Sequence, residues 1–415
     1  MDSKSLKPET LMLSYGYKPE LSEGSIKCPI FQTSTFVFKN AEDGKAFFEV
    51  AYGLREKEEK EEPGLIYSRI NNPDLEILEN RLAIWDDADE CAVFESGMSA
   101  ITTTFLEFLN PGDVLLHSCP VYGGTDHFIS HFLPRFGIHT VEFKPGESKQ
   151  QIEERLKASG HAKKLALIFI ETPANPTNAL IDIEMCREIA DSYSKDKQVV
   201  VAVDNTYMGP IWQHPLKHGA HFSIYSATKY IGGHSDLIAG AVCGNSEMMK
   251  RVRALRTFLG NMAAPYTGWL LLRSLETLKI RMEKQCENAR VVADFLRGHP
   301  KVERLYYLGH LDSSSPEYKI YKKQYTAPGA MLSFDIKGGE KEAFRFLNSL
   351  NIFKLAVSLG STESLVQHPY TMTHAGSPPE HNHDIGITDK LVRLSIGVEN
   401  AEDLVHDIRS ALEKV

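Results

Sequence analysis

The segment Ser226-Ala227-Thr228-Lys229-Tyr230 follows a short apolar run, His221-Phe222-Ser223-Ile224-Tyr225, and precedes a glycine-rich stretch. The apolar run predicts a buried strand. A lysine at the end of such a strand is usually a solvated surface charge. The two hydroxyl residues just before Lys229 suggest another use. A lysine in this position can form a Schiff base with an aldehyde cofactor while the hydroxyls bind its phosphate.

A second predicted strand, Val201-Ala202-Val203-Asp204, ends in an acid. The carboxyl ends of parallel strands are where an α/β fold places ligand-binding groups. A carboxylate there can pair with a pyridine nitrogen and keep it protonated, which makes the ring an electron sink. The alternative for Asp204 is a helix cap or a turn.

A third piece of the same site is predicted where a strand gives way to a helix. The sequence Ala92-Val93-Phe94-Glu95-Ser96-Gly97-Met98 reads as a strand and a tight turn, and an amphipathic stretch covers residues 101–109. The backbone N–H groups of Gly97 and Met98 would open that helix and could face a phosphate dianion.

Residues 89–244 alternate short apolar runs with amphipathic stretches. The runs at 91–94, 114–116, 140–143, 165–170 and 199–203 predict strands, and those at 101–109, 127–136, 151–158 and 185–193 predict helices. Such alternation predicts a parallel sheet with helical cover. From about residue 265 one long amphipathic stretch, 268–297, leads to strands at 331–336 and 391–396 and a helix at 401–414. We therefore expect a smaller α+β domain there.

A series of motifs runs in one order from about residue 25 to the C-terminus. They are Tyr67-Ser68-Arg69-Ile70-Asn71-Asn72-Pro73, Ser96-Gly97-Met98, Tyr122-Gly123-Gly124-Thr125, Glu171-Thr172-Pro173-Ala174-Asn175-Pro176, Asp204-Asn205-Thr206, Ser226-Ala227-Thr228-Lys229, Ser358-Leu359-Gly360 with Glu363-Ser364-Leu365, and Arg393-Leu394-Ser395. In these motifs the chain resembles the Cys/Met metabolism family of pyridoxal phosphate enzymes. That family includes cystathionine γ-synthases, cystathionine γ-lyases and methionine γ-lyases.

The resemblance implies a fold, a division of the chain and an assembly. The fold is the α/β pyridoxal phosphate-dependent transferase fold, similar to aspartate aminotransferase. It would comprise an N-terminal arm (1–66) contacting a partner subunit, a large cofactor-binding domain with a mainly parallel sheet (67–264) and a small α+β domain (265–415). Tyr67 and Arg69 would bind the cofactor phosphate in the partner's active site, since the arginine fork can hold two phosphate oxygens. Shared sites imply a dimer, commonly paired into a tetramer.

The resemblance also implies roles for individual residues. Lys229 would hold pyridoxal 5'-phosphate and move protons, Tyr122 would stack on its ring and act as acid or base, and Asp204 would pair with its ring nitrogen. The expected cofactor-binding residues are Tyr67, Arg69, Ser96, Gly97, Met98, Tyr122, Asn175, Asp204, Ser226, Thr228 and Lys229. Arg393 is expected to clamp the substrate carboxylate, with Ser358 also expected at the substrate.

A few positions bear on specificity. Dedicated methionine γ-lyases of bacteria carry a cysteine at the position of Gly124, so this departure removes one expected substrate-contacting thiol and weighs against that enzyme without eliminating it. Cystathionine enzymes usually have an arginine at the position of His127, and this arginine binds the distal carboxylate of the substrate. Histidine is a weaker and pH-dependent partner there, and an ordinary helix-surface histidine is the alternative. Glu363 resembles the γ-synthase and γ-lyase branch.

Three functions stay open on these residues. The first is γ-replacement or γ-elimination of the cystathionine γ-synthase or γ-lyase type, on sulfur amino acids or homoserine esters. The second is a methionine or homocysteine γ-lyase that releases a thiol, ammonia and 2-oxobutanoate. The third is a non-catalytic, cofactor-binding regulatory protein, which the intact set of Lys229, Asp204, Tyr122 and Arg393 argues against.

The composition of the chain argues against several other classes of protein. A net charge of −9 and the lack of basic clusters argue against nucleic acid as a partner. The apolar runs are too short for a membrane span. The six cysteines lack metal-ligand spacing, and residues 1–4 lack a signal core, so we expect no metal and a cytoplasmic protein. The charged run at 55–62 is expected to be a solvated loop or helix, although its place before Tyr67 could let it reshape access to the site.

Overall fold

The computed structural model of the chain describes residues 6–58, 64–195 and 197–415. Residues 1–4 and the second half of the charged run, 59–62, therefore lie outside the described residues. No helix in the described part of the chain is long and apolar enough to cross a membrane.

Seven strands form the larger sheet. They are β1 (Glu90–Phe94), β2 (Val114–Ser118), β3 (His139–Phe143), β4 (Leu165–Glu171), β5 (Val200–Asp204), β6 (Phe222–Ser226) and β7 (Gly240–Gly244). They lie in the order β1-β7-β6-β5-β4-β2-β3. β2 to β6 pair in parallel, and β7 is antiparallel to both β1 and β6. The predicted mainly parallel sheet is thus observed, whereas β7 was missed.

Helices cover both faces of this sheet, which explains why its central strands are apolar throughout rather than alternating. Leu167 and Phe169 of β4 pack into a core with the helix Gly97–Phe108. The alternate residue Ile168 packs into a second core with the helix Ile183–Tyr193. Successive side chains of one strand therefore supply two separate cores.

The α-helices of the described residues range in length from four to nineteen residues. They span Pro8–Leu11, Ala41–Ala51, Pro73–Asp86, Gly97–Phe108, Gly123–His127, Lys149–Ala158, Ile183–Tyr193, Gly209–Trp212, Ser246–Leu259, Pro265–Leu275, Leu278–Leu296, Pro316–Gln324, Glu340–Leu347, Pro379–Asp384 and Ala401–Leu412. The helix predicted over 127–136 is irregular: Gly123–His127 continues as a π-helical turn, Phe128–Phe132, and a 3-10 turn, Leu133–Phe136.

The C-terminal part of the chain forms a smaller five-stranded sheet. Its strands are β8 (Val302–Tyr306), β9 (Met331–Ile336), β10 (Lys354–Leu355), β11 (Leu365–Gln367) and β12 (Leu391–Ser395), in the order β10-β11-β12-β9-β8. The predicted α+β character of this region is observed. The domain limits at residues 67 and 265 stay a prediction.

The long amphipathic stretch at 268–297 is not one continuous helix. It divides into Pro265–Leu275 and Leu278–Leu296, because Thr277 leaves the helical conformation at φ −113° and ψ 5°. Arg281 donates hydrogen bonds to the carbonyl of Ser274 and to the hydroxyl of Thr277, which satisfies the end of the first helix.

The N-terminal arm has little core of its own. Met12 and Cys28 are the buried residues among its described positions up to residue 66. The helix Ala41–Ala51 has none. Its aromatic residues are partly exposed instead, with Phe48 at 42% and Tyr52 at 74%. The arm therefore gains little stability from burial within its own chain.

Candidate active site

A cavity of about 270 Å³ lies where β4, β5 and β6 end. The last residues of these strands, Glu171, Asp204 and Ser226, all line it. The described residues that line it are Ser96, Gly97, Met98, Ile101, Tyr122, Glu171, Asn175, Asp204, Thr206, Tyr207, Ser226, Thr228, Lys229, Ile238 and Leu359. Parallel strands bring their carboxyl ends to one edge, so residues far apart in sequence meet there.

Lys229 lies in this cavity three residues after β6. Burial, and then the charge of Arg393, lower the pKa of Lys229 to about 8. Its Nζ donates a hydrogen bond to Ser358 Oγ over 2.7 Å. An amine with this pKa is partly neutral near pH 7, so it can act as a nucleophile or accept a proton.

Ser358 holds that acceptor in a left-handed backbone conformation, with φ at 88°. This conformation costs a non-glycine residue about 1–3 kcal/mol. The Arg393 guanidinium donates a hydrogen bond to the Ser358 carbonyl, which helps to hold the turn. The strained turn therefore keeps the Ser358 hydroxyl beside the Lys229 amine.

Two buried acids stand side by side at the cavity floor. Glu171 and Asp204 are paired residues at the ends of β4 and β5. Burial raises the pKa of Asp204, although hydrogen bonds from Thr206 oppose the rise. Burial, and then the neighbouring Asp204 charge, raise the pKa of Glu171 to about 8. The attraction of a cation next to Asp204 would offset the cost of burying the charged carboxylate.

Small residues and hydroxyls form a concave cradle next to these acids. Ser96 caps the helix Gly97–Phe108 by accepting a hydrogen bond from the Ser99 N–H. A Cβ placed on Gly97 would lie only 2.7 Å from Ser226 Cβ, so only glycine allows the helix start to approach the end of β6 this closely. The cradle combines a helix N-terminus with the hydroxyls of Ser226 and Thr228, a combination that suits a phosphate.

Asn175 and Arg393 meet at one side of the cavity. An Arg393 terminal nitrogen donates to Asn175 Oδ1 over 3.0 Å. Burial lowers the pKa of Arg393 to about 10, still high enough to keep the guanidinium charged at neutral pH. Its Nε is buried without a hydrogen-bond partner in the described structure. A buried donor of this kind can accommodate an incoming carboxylate.

Glu171 positions two of the predicted site residues, a role that sequence reasoning missed. One carboxylate oxygen accepts the backbone N–H of Tyr122 over 2.6 Å, and the other accepts that of Asn175 over 3.1 Å. The available signal was that Glu171, like Asp204, ends an apolar strand. Thr206 was also missed: its hydroxyl accepts the Ser226 N–H over 2.7 Å and so ties β5 to β6.

Tyr122 stands at the mouth of the cavity and is 49% exposed. Gly124 lies against it, since a Cβ added there would come within 2.7 Å of the Tyr122 ring and 3.3 Å of Met98 Sδ. A larger residue at position 124 would therefore displace the ring. Gly124 itself is not among the lining residues of this cavity.

Besides Gly124, Ser358 and Arg393, three further predicted site residues, Tyr67, Arg69 and His127, are absent from the described lining of the cavity. Arg69 donates to the Thr257 carbonyl over 2.6 Å, and Tyr67, whose ring lies 5.8 Å from the Arg69 guanidinium, is 42% exposed. His127 stacks on His131 with ring centroids 4.3 Å apart. For all three, the predicted roles stay predictions.

Known proteins match this chain over nearly its whole length. Residues 9–413 match the family model described as "Cys/Met metabolism PLP-dependent enzyme". The chain is 40% identical to an L-methionine gamma-lyase of Fusobacterium nucleatum over 394 residues, 94% of each chain. It is 36% identical to a cystathionine gamma-lyase of Bacillus subtilis, covering 99% of this chain and 100% of the relative. A solved cystathionine gamma synthase from Xanthomonas oryzae pv. oryzae superposes with a TM-score of 0.86 at 31% identity, covering 99% and 98% of the two chains.

Proposed function

Because the chain belongs to the Cys/Met metabolism family of PLP-dependent enzymes, we propose that it is a γ-lyase that cleaves the Cγ–S bond of L-methionine. With one water molecule consumed, the products would be methanethiol, ammonia and 2-oxobutanoate. What we propose is the identity of the substrate. The dependence on pyridoxal phosphate and the chemistry on sulfur amino acids follow from membership of the family.

The choice of methionine as the substrate rests on the apolar side chains in the cavity wall. Met98, Ile101, Ile238 and Leu359 give it an apolar side, and Lys229 is the one cation among the lining residues in the described part of the chain. Cystathionine carries a second carboxylate beyond its sulfur, whereas methionine ends in a methyl group. Burying a carboxylate without a partner costs several kcal/mol or forces it to stay in water. An apolar wall therefore favours the methyl thioether.

The residues present also fit pyridoxal phosphate. Asp204 is buried with a raised pKa and has no cationic partner among the described residues, and a protonated pyridine nitrogen would supply one. The tight approach of Gly97 to Ser226 leaves a helix start that suits the phosphate. When bound, the cofactor supplies an aldehyde that condenses with amines and a protonated ring that accepts electrons.

The roles that we propose for the protein groups follow from their positions. The Lys229 amine, with its pKa near 8, would hold the cofactor at rest and would take protons from the substrate, first from Cα and then from Cβ, before the Cγ–S bond breaks. Arg393 binds the substrate carboxylate, and the Ser358 hydroxyl keeps the lysine oriented. Tyr122 Oη, at the cavity mouth, protonates the departing sulfur. Asp204 keeps the proton on the ring nitrogen.

We also propose that a second copy of the chain completes the site. The phosphate cradle has hydroxyls and N–H groups but no arginine among its described lining residues, which leaves a dianion without a cationic partner. Arg69 and Tyr67 lie outside the cavity of their own chain. The exposed aromatic residues of the arm near Phe48 and Tyr52 are a suitable contact surface for a partner. These observations support a dimer in which each arm serves the partner's site.

A substrate panel tests the proposed reaction. Purified holoenzyme is given methionine, homocysteine, cystathionine and O-acetylhomoserine, each with and without cysteine, and 2-oxobutanoate and cystathionine are both measured. We expect the highest kcat/KM for 2-oxobutanoate release with methionine. A higher value with cystathionine, or cystathionine formation from the ester, would refute this assignment.

A second candidate is cystathionine γ-lyase or γ-synthase chemistry, which Glu363 favours. Its carboxylate accepts hydrogen bonds from Ser235 and from Thr362, and it lies four residues after Leu359 of the cavity wall. A carboxylate there could pair with the distal ammonium group of cystathionine. Membership of an enzyme family leaves the third alternative, a non-catalytic protein, without support.

A further inference from the structure

A group of three metal-binding side chains lies outside the cavity. Cys119 follows β2, Glu142 belongs to the edge strand β3, and His381 lies in the helix Pro379–Asp384. We propose that these three residues bind one thiophilic divalent cation, with Zn²⁺ the best match. Sequence spacing gave no hint of it, because 262 positions separate Cys119 from His381.

The distances already resemble those of a metal site. Cys119 Sγ lies 3.8 Å from His381 Nε2, and the three ligand atoms, one from each residue, are all within 4.8 Å of one another. Tetrahedral zinc with ordinary Zn–S and Zn–N bonds separates those two ligands by about 3.6 Å. Inward shifts of about 1 Å or less would therefore complete the coordination, and a water molecule would take the fourth position.

The chemical types of the ligands select the cation. A thiolate and an imidazole together favour zinc and its neighbours over Mg²⁺ and Ca²⁺, which prefer oxygen ligands. Burial raises the pKa of the Cys119 thiol well above its usual range, so the sulfur is a protonated thiol until a cation displaces the proton. The adjacent Lys144 opposes that rise.

The site would fasten one part of the chain to another. An ion pair between Lys144 and Asp384, at 3.5 Å, already joins β3 to the helix that carries His381. The segment before that helix reaches the turn of Tyr122, because a Cβ placed on Gly123 would lie 3.2 Å from the Thr373 carbonyl oxygen. A bound cation would therefore hold this segment against the turn that carries Tyr122.

Cobalt binding to the holoenzyme tests the proposal. The reduced protein is stripped with a chelator and titrated with Co²⁺, in a non-thiol reductant and without amino-acid substrate. Tetrahedral cobalt absorbs at longer wavelengths than the cofactor, and elemental analysis gives the stoichiometry. We expect one Co²⁺ per chain, displaced by Zn²⁺, and binding weaker by about tenfold or more in Cys119→Ser, Glu142→Gln and His381→Gln.

Two variants serve as matched controls. His383→Gln changes a histidine of the same helix whose ring centroid lies 6.1 Å from that of Tyr370, and Cys186→Ala changes a buried thiol in a separate core. Both should bind cobalt like the wild type. Equal binding by every variant, or no bound cobalt in the wild type at a large molar excess, overturns the proposal.

If Cys119→Ser does not fold, the effect of Zn²⁺ on the Tm of the wild type and of His381→Gln tests the proposal instead. His381 is only half-buried in a short surface helix, so His381→Gln should fold. Zn²⁺ at about a hundred times its Kd should raise the Tm of the wild type by roughly 3 °C. The same rise in His381→Gln would overturn the proposal.

Discussion

Asp204 is buried at the end of β5 and Lys229 is partly buried three residues after β6, whereas Tyr122 at the cavity mouth is 49% exposed and Tyr67, outside the cavity, is 42% exposed. The interior residues are fixed by strand register, by Thr206 and Glu171, and by the strained turn at Ser358. The position of the exposed Tyr122 side chain depends on its rotamer, and Tyr67 would reach a cavity only in the proposed dimer. The chemistry common to the family can therefore be set by one chain's fold, and we expect substrate choice to depend on the more exposed residues.

The largest effect should come from the interior residue that moves protons. Lys229→Ala should lower kcat by about a thousandfold or more, because the attachment point and the proton carrier are lost together. Borohydride treatment of the wild type, followed by peptide mapping, should place the reduced cofactor on Lys229. Lys250→Ala, at an exposed lysine of the helix Ser246–Leu259, is the control. A reduced adduct on another lysine would contradict the assignment.

The buried acid comes next. Asp204→Asn keeps the shape but removes the charge, so kcat should fall by on the order of 10²–10³ while the cofactor still binds. Asp86→Asn is a matched control, since Asp86 is also buried, with a pKa raised to about 7, but does not line the cavity. A kcat for Asp204→Asn within threefold of the wild type would show that the acid does not serve the ring nitrogen.

The contrast between interior and exposed site residues also explains which features the sequence could predict. Lys229, Asp204 and the Ser96-Gly97-Met98 turn end predicted strands, and the ends of parallel strands converge whatever the details of packing. β7 escaped prediction because its ends are glycines, which weaken a strand pattern. Yet Gly244 has to be small, since a Cβ there would meet the His221 carbonyl at 2.9 Å.

Other features of the site depend on tertiary contacts that no local pattern encodes. The left-handed turn at Ser358 is held by Arg393, 35 residues further along the chain. The stack of His127 on His131 depends on two rotamers in an irregular helix. The motifs that carry the family resemblance identified Ser358 and His127 as candidates, but their geometry could come only from the folded chain.

Mixing two inactive proteins tests whether the rim is shared between subunits. Lys229→Ala and Arg69→Ala chains, allowed to exchange, should recover up to about a quarter of wild-type activity, because each mixed dimer holds one intact site. Arg69→Ala mixed with Tyr67→Ala is the control. Every site in that mixture still meets a defective arm, so activity should not return. No recovery in the first mixture, despite proven exchange, would mean that the site is built within one chain.

The pH dependence of cofactor attachment measures the Lys229 environment. Only the neutral amine attacks the aldehyde, so a pKa of about 8 predicts that the attachment rate to the apoenzyme rises about tenfold from pH 7 to pH 9 and then levels off. N-acetyl-lysine-type model amines in the same buffers should keep rising, because their pKa is near 10.4. A protein rate that still climbs tenfold per pH unit above pH 9 would contradict the lowered pKa.

The smallest effect is expected at the outer rim, in His127→Arg. The histidine ring stacks on His131 outside the cavity, but a longer guanidinium could reach a distal carboxylate and bind it in two places. The ratio of kcat/KM for cystathionine to that for methionine should rise by roughly threefold or more, about 0.7 kcal/mol of differential transition-state binding. His131→Arg adds the same charge one turn further along and should change the ratio less.

Equal changes in both variants would reflect general electrostatic attraction, and no change in either would exclude this helix as the specificity element. The charged run before Tyr67 would then be the next segment to replace.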